Sequence, residues 1–349
     1  MKNGFSLKRL SILSLCMIGI GAFALIGKDK PTAADEMTVA ASAFLDSLTA
    51  EQRKQASFGF DDPHRTAWFF TPQQNAERQS TRKGIPLESL NAKQREAALQ
   101  LLKAGTSKSG YEQAETIMSL EAVLRDSEKN GRMVRNPNWY FISIFGTPGM
   151  TTQWGWRFEG HHLSISFTMD RGKVLSPTPF FYGANPAIVK GGAKDGNKTI
   201  SEVQELTGKL IANLTADQRK IAHQAKHFPE IAENTPAATL TKPVGLDAGQ
   251  FTPAQKEMLL AILRAYTNRM NSEIGATEYQ KVLDGGVDKV YFAYSGSELY
   301  KTGTPFTYQI QGPTFLVQFL NVQADGNGNP NNHIHSSWRK IPADFGISK

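Results

Sequence analysis

Leu48-Thr-Ala-Glu-Gln-Arg-Lys-Gln-Ala56 returns 166 residues later as Leu214-Thr-Ala-Asp-Gln-Arg-Lys-Ile-Ala222, identical at seven of nine positions. Segments that far apart do not agree to this extent by chance, so the stretch decides how the rest is read. The relation continues outward. Asn91 to Ala104 and Thr252 to Ala265 share Gln94/Gln255, Glu96/Glu257, Leu99/Leu260, Leu102/Leu263 and Ala104/Ala265. Each opens on a turn-forming polar residue and carries an apolar stripe at the 3.6-residue period, which predicts a capped amphipathic helix. Trp139-Tyr-Phe-Ile142 then parallels Val290-Tyr-Phe-Ala293, and Phe158-Glu-Gly-His-His-Leu-Ser-Ile-Ser-Phe167 parallels Ile310-Gln-Gly-Pro-Thr-Phe-Leu-Val-Gln-Phe319. The expected fold is α+β and internally duplicated. Two helix-then-strand halves, 35–190 and 191–349, would pack with pseudo-two-fold symmetry as one compact unit, since either half alone leaves a sheet edge or face uncovered. The alternative is two independent domains linked near Gly191-Gly192.

The strand pair carries a second regularity. Apolar residues fall on even numbers up to Phe158 (Trp154, Trp156) and on odd numbers after Gly160 (Leu163, Ile165, Phe167). Tyr308 and Ile310 before Gly312, with Phe315, Val317 and Phe319 after it, do the same. Both glycines are therefore expected to mark a β-bulge or sharp bend. The two residues after each glycine are not alike: His161-His162 in the first copy, Pro313-Thr314 in the second.

Composition bounds the function. With 349 residues, 40% apolar and 20% charged, the chain is neither disordered, collagen-like nor a multi-span membrane protein. The single cysteine, Cys16, sits in an N-terminal apolar run, so any metal site must use His, Asp, Glu or backbone oxygen. Of the +7 formal charge, Lys2, Lys8, Arg9, Lys28 and Lys30 against Asp29 supply +4, leaving +3 for the rest and no basic footprint for nucleic acid.

Residues 1–34 have the pattern of an export signal, with a basic start and an apolar stretch from Leu10 to Ile26. Cleavage options lie at Ala22-Phe23-Ala24 and Thr32-Ala33-Ala34; an uncleaved membrane anchor is the alternative. Either way the bulk of the chain is expected outside the cytoplasm, periplasmic or secreted.

Histidines nominate the site. His333-Ile334-His335 on an extended backbone puts both imidazoles on one side, a geometry suited to chelating a metal or sharing an anion. Neither this pair nor His161-His162 has a counterpart in the other copy. His161, His162, His333 and His335 are the candidate ligands of a divalent transition metal, whether zinc, copper, iron or manganese. They are expected to converge within roughly 4 Å, as shared tetrahedral ligation requires. Glu159 is the candidate catalytic base or further ligand, Arg157 and Arg339 the candidate substrate-binding cations. His64, in a turn before an expected apolar strand at Trp68-Phe69-Phe70, offers one more ligand. His223 and His227, at i, i+4 in an expected helix, lack a zinc protease's glutamate and are assigned to helix surface. No nucleophile elbow, phosphate loop or dinucleotide fingerprint is present. The two function classes are a metal-dependent hydrolase and a non-catalytic protein binding a metal or small anion.

WGWRFEGHHLS (154–164), TPFFYGANPA (178–187) and NHIHSSWR (332–339), with Asp344-Phe345-Gly346, resemble the bacterial and fungal family known as domain of unknown function 3500. The resemblance spans nearly all of the chain after the leader and implies no reaction. The family's aspartate after Trp-Arg is replaced by Lys340.

Overall fold

The computed structural model describes Met1 and residues 30–128, 131–238, 240 and 242–347. The export-signal reading falls mainly on residues 2–29, outside the described residues. At its end, Thr32 caps the first helix and Ala33 and Ala34 are buried, so cleavage after Ala34 would remove a cap and two core side chains.

Helices α1 (Ala33–Ser47) and α2 (Ala50–Ala56) lead through short strands β1 (Ser57–Phe58) and β2 (Ile85–Pro86) to α3 (Ala92–Gly105) and α4 (Lys108–Ser127). Strands β3 (Phe141–Gly146), β4 (Gln153–Gly160), β5 (Leu163–Asp170), β6 (Lys173–Ser176) and β7 (Phe180–Ala184) come next. The order then recurs as α5 (Ser201–Asn213), α6 (Ala216–Ala222), β8 (Leu246–Asp247), α7 (Pro253–Thr267) and α8 (Ser272–Gly285). It closes with β9 (Tyr291–Gly296), β10 (Phe306–Gln311), β11 (Phe315–Gln323) and β12 (His333–Lys340). The architecture is mixed α+β. One sheet runs β1-β3-β4-β5-β7-β12-β11-β10-β9-β8, with β2 beside β3 and β6 beside β5. It is mixed, β1 lying parallel to β3 while β7 and β12 join the two segments antiparallel.

The repeated LTA-x-QRK stretch owes its residues to capping. Thr49 accepts from Gln52 N, and the Gln52 carbonyl oxygen takes Thr49 N–H at 3.0 Å. The Gln52 amide also donates to Ser89 O and pairs with Gln94, the N3 residue of α3. Thr215, Gln218, Gln250 O and Gln255 make the same set. One glutamine thus closes its own helix start and locks it to the next. The ladder pairs Ile85 with Ile142 and Leu246 with Phe292, giving Ile142 and Phe292 like positions. That is one residue off the alignment of Trp139 with Val290.

The helices cover one face of the sheet. Trp154, Trp156, Phe158, Leu163, Ile165 and Phe167 are buried there with Phe44, Leu101 and Leu102. The other face carries Arg157, Glu159, His335 and Arg339, all buried, and a smaller cluster of Trp68, Phe70, Phe181, Ile231, Leu320 and Phe345.

Three local expectations are narrowed or corrected. Of the bulge or sharp bend expected at Gly160 and Gly312, the bulge is excluded and the bend is found: Gly160 pairs with Leu163, and Gly312 N–H bonds to Phe315 O, so each closes a two-residue hairpin. A hairpin tip shifts side-chain parity as a bulge does, which is why the pattern did not separate them. His223 and His227 do not share a helix, because α6 ends at Ala222; they bond to Gly296 O and Ser295 Oγ of β9. Trp68-Phe69-Phe70 is a covering segment rather than a strand.

Candidate metal centre

Three strands bring the histidines together. His162 sits at the tip joining β4 and β5, with φ +62°, a left-handed backbone that non-glycine residues seldom adopt. Its carbonyl accepts from Gly183 N on β7 at 2.7 Å, and its N–H donates to Phe70 O. Gly183 is also the partner of His335 on β12. Neighbouring strands lie about 4.8 Å apart, so His162 and His335 must reach across β7 to meet. They can because Gly183 has no side chain: a Cβ there would lie 2.7 Å from His162 Cδ2 and 2.8 Å from Ile334 O. His333 joins from the same side of β12, two residues away, where β11 slips register between Leu320 and Gln323.

The result is a cluster of three Nε2 atoms. His162 Nε2 lies 2.7 Å from His333 Nε2 and 3.2 Å from His335 Nε2, and the three ligand atoms fall within 4.8 Å of one another. His335 Nδ1 lies 2.9 Å from both carboxylate oxygens of Glu230, and His333 Nδ1 lies 3.3 Å from Ala324 O. An acceptor at Nδ1 places the proton there and leaves Nε2 as a bare lone pair. Burial, with the neighbouring histidines, pushes His162 well below its ordinary range and His333 down to about 3, so both rings are neutral near pH 7. Burial acts to raise Glu230, yet its bond to His335 and those from Ile231 N–H and Gln323 hold it below the usual carboxylate range. A lone proton on His162 Nε2 serves one neighbour well; a cation serves all three. Bonds of about 2.1 Å at tetrahedral angles set the nitrogens near 3.4 Å, so closing on a metal asks the tightest pair to open by about 0.7 Å.

The other nominated residues lie elsewhere. The His161 ring lies against that of His162, centroids 3.9 Å apart, but its Nδ1 is taken by Glu121 Oε1 on α4 at 2.5 Å, with Arg135 at 3.3 Å. Glu159 is fully engaged, ion-paired to Arg157 at 3.0 Å and Arg82 at 3.2 Å and accepting from Phe69 N–H. Arg157 donates to His64 O and Arg65 O and contacts the His64 ring; burial first, then Arg157, holds His64 at about 3. Arg339 pairs with Asp344, donates to Ala232 O and Thr235 O, and lies over Trp68. Both arginines pin covering segments to the sheet.

A family model, described as a protein of unknown function, matches residues 30–347. The chain belongs to the DUF3500 family. No curated protein and no solved structure matches it. The DUF3500 match takes in all three clustered histidines and supplies no reaction for them. Sequence reasoning missed Glu230, the carboxylate that contacts the cluster. It lies 105 residues from His335 in an irregular segment, and no spacing rule could have found it.

Proposed function

We propose that this DUF3500 chain is an exported protein in which His162, His333 and His335 hold a divalent transition metal with one position left open for hydrolysis. What carries the reading is the Glu230–His335 contact beside Ala324 O on His333: both aim deprotonated Nε2 atoms at the space faced by His162. Three imidazoles and an open position are the donor set of catalytic zinc, where the bound ion lowers the pKa of water. Half-buried His333 leaves the centre a route to solvent. A non-catalytic metal-binding protein is the second reading, favoured by Glu159 being committed to Arg157 and Arg82. Metal analysis of the purified chain, followed by ester and phosphoester assays of the loaded form, tests both. Stoichiometric metal with turnover supports the first, metal without turnover the second, and no metal bound and no thermal shift with zinc, copper, iron or manganese rejects both.

We further infer that the two segments are copies of one unit, related across β7 and β12. The matched glutamine locks and the strand order read inward from each edge support this.

A further inference from the structure

Seven of the eight described α-helices begin on a side-chain cap: Thr32, Thr49, Asn91, Ser107, Thr215, Thr252 and Asn271. The thirteen-residue α5 begins at Ile200 in a left-handed conformation, φ 63°, without one. Its first-turn N–H groups therefore keep the partial positive charge of an uncapped helix start. A cavity of about 250 Å³ opens at that end. Two nearly buried polar side chains line it without partners among the described residues. Gln204, one turn into the helix and 7% exposed, makes no side-chain hydrogen bond there, and the Thr199 hydroxyl, in a residue 2% exposed, has none either. Buried polar groups are rarely left unpaired unless something else satisfies them. Lys190 and Lys198 stand at the rim; Lys198 also lies 3.6 Å from Glu205. One wall is Tyr300, whose ring lies so close to α5 that a Cβ on Gly208 would be 2.3 Å from it.

We propose that this cavity binds a small organic molecule through a phosphate-type oxyanion, seated at the start of α5. Helix N–H groups and the lysines would take the charge. Gln204 and Thr199 would complete the hydrogen bonds, and Tyr300 would flank the organic part. The cavity exceeds what a bare phosphate fills, which favours an organic phosphate. It backs onto Asn332 and Ile334 at the start of β12, and nothing in its chemistry depends on the histidine cluster.

Calorimetric titration of the full chain with glycerol 3-phosphate and with inorganic phosphate, in EDTA so that no metal contributes, tests the proposal. Glycerol 3-phosphate should saturate with a Kd at or below about 1 mM, and more tightly than inorganic phosphate. Lys190→Ala/Lys198→Ala, two exposed positions that leave folding untouched, should weaken it at least about tenfold. Gln204→Leu should weaken it with an unchanged circular dichroism spectrum, while Lys209→Ala, far along the same helix, should not. Failure of both anions to saturate, or equal affinity in the wild type and the lysine pair variant, overturns the site.

Discussion

Two hairpin tips, Gly160-His161-His162-Leu163 and Gly312-Pro313-Thr314-Phe315, connect strands in the same way and end differently. At each, the residue before the return strand offers its carbonyl to a neighbouring stretch of backbone: His162 O to Gly183 N–H, Thr314 O to Ile341 N–H. The backbone event is shared; the side chains are not. Where the first tip faces a glycine, and so has room for an imidazole crossing the strand, the second faces isoleucine. The first also holds His162 in a left-handed conformation that Thr314 does not adopt. A three-histidine cluster therefore needs more than histidines: it needs an empty place beside them and a strained backbone to aim one.

The largest effect should come from the cluster itself. His162→Ala and His335→Ala should each remove stoichiometric metal, measured by elemental analysis of purified protein, while His161→Ala should retain it because that ring is committed to Glu121. If His161→Ala loses metal and His162→Ala keeps it, the assignment of the first tip fails.

Gly183→Ala should come next. The added methyl cannot avoid His162 Cδ2 and Ile334 O, and overpacking of this kind costs about 1–3 kcal/mol. We expect both a lower Tm and lost metal, whereas Ile341→Ala at the second tip should lower stability without touching metal content. A Gly183→Ala protein that binds metal normally would show that the glycine is not what separates the tips.

Glu230→Gln should weaken metal binding by about 10–100-fold, the usual consequence of losing a ligand's carboxylate partner, with little change in unfolding since Glu230 is partly exposed. A competition titration against a chelator reads this directly.

How much the sequence disclosed depends on physical range. The capped helices starting after Asn91 and Thr252 were legible because a cap and its N3 glutamine act within four residues. His333 and His335 were legible because the strand period fixes their common side. At Gly160 the sequence left a bulge and a sharp bend unseparated because both change parity identically. Glu230 on His335, Glu121 on His161 and the pairing of Glu159 with Arg82 were hidden because each is set by tertiary packing of segments 40 to 105 residues apart, or by a covering segment folding back.

The two halves of the sheet should also differ in acid response. Arg157 and Gln309 hold like ladder positions, opposite Ser143 and Ala293, but only Arg157 has a buried histidine against it. His64 is held at about 3 in the fold against an unfolded value of 6.5. Below pH 6.5 the unfolded chain takes up a proton that the folded chain refuses, so stability is lost as pH falls through that window and is regained above it. Between about pH 6.5 and about pH 5.5 the share of the loss due to His64 should be about 1 kcal/mol, read from urea unfolding as the difference between wild type and variant. His162 and His333, lowered in the same way, add shares of their own, so His64→Gln should reduce the slope by its own share rather than abolish it; an unchanged slope would mean that His64 carries none of it.

The finest test concerns the part of the molecule where the two segments should not differ at all. Thr49 and Thr215 each cap a seven-residue helix, each accepts from a glutamine N–H at 3.3 and 3.2 Å, and each glutamine reaches the next helix start through the same pair of bonds. Replacing either threonine by alanine should cost about 1 kcal/mol, the ordinary value of a lost cap. Because the surroundings match partner for partner, the two losses should agree to within about 0.5 kcal/mol, and the double variant should show their sum, the caps being far enough apart to act independently. Unequal losses would mean that one segment leans on its cap more than the other, and that the segments differ in their helix layer as well as at the hairpin tips. Equal losses would confine the difference to the tips, where Gly183 and His162 stand against Ile341 and Thr314.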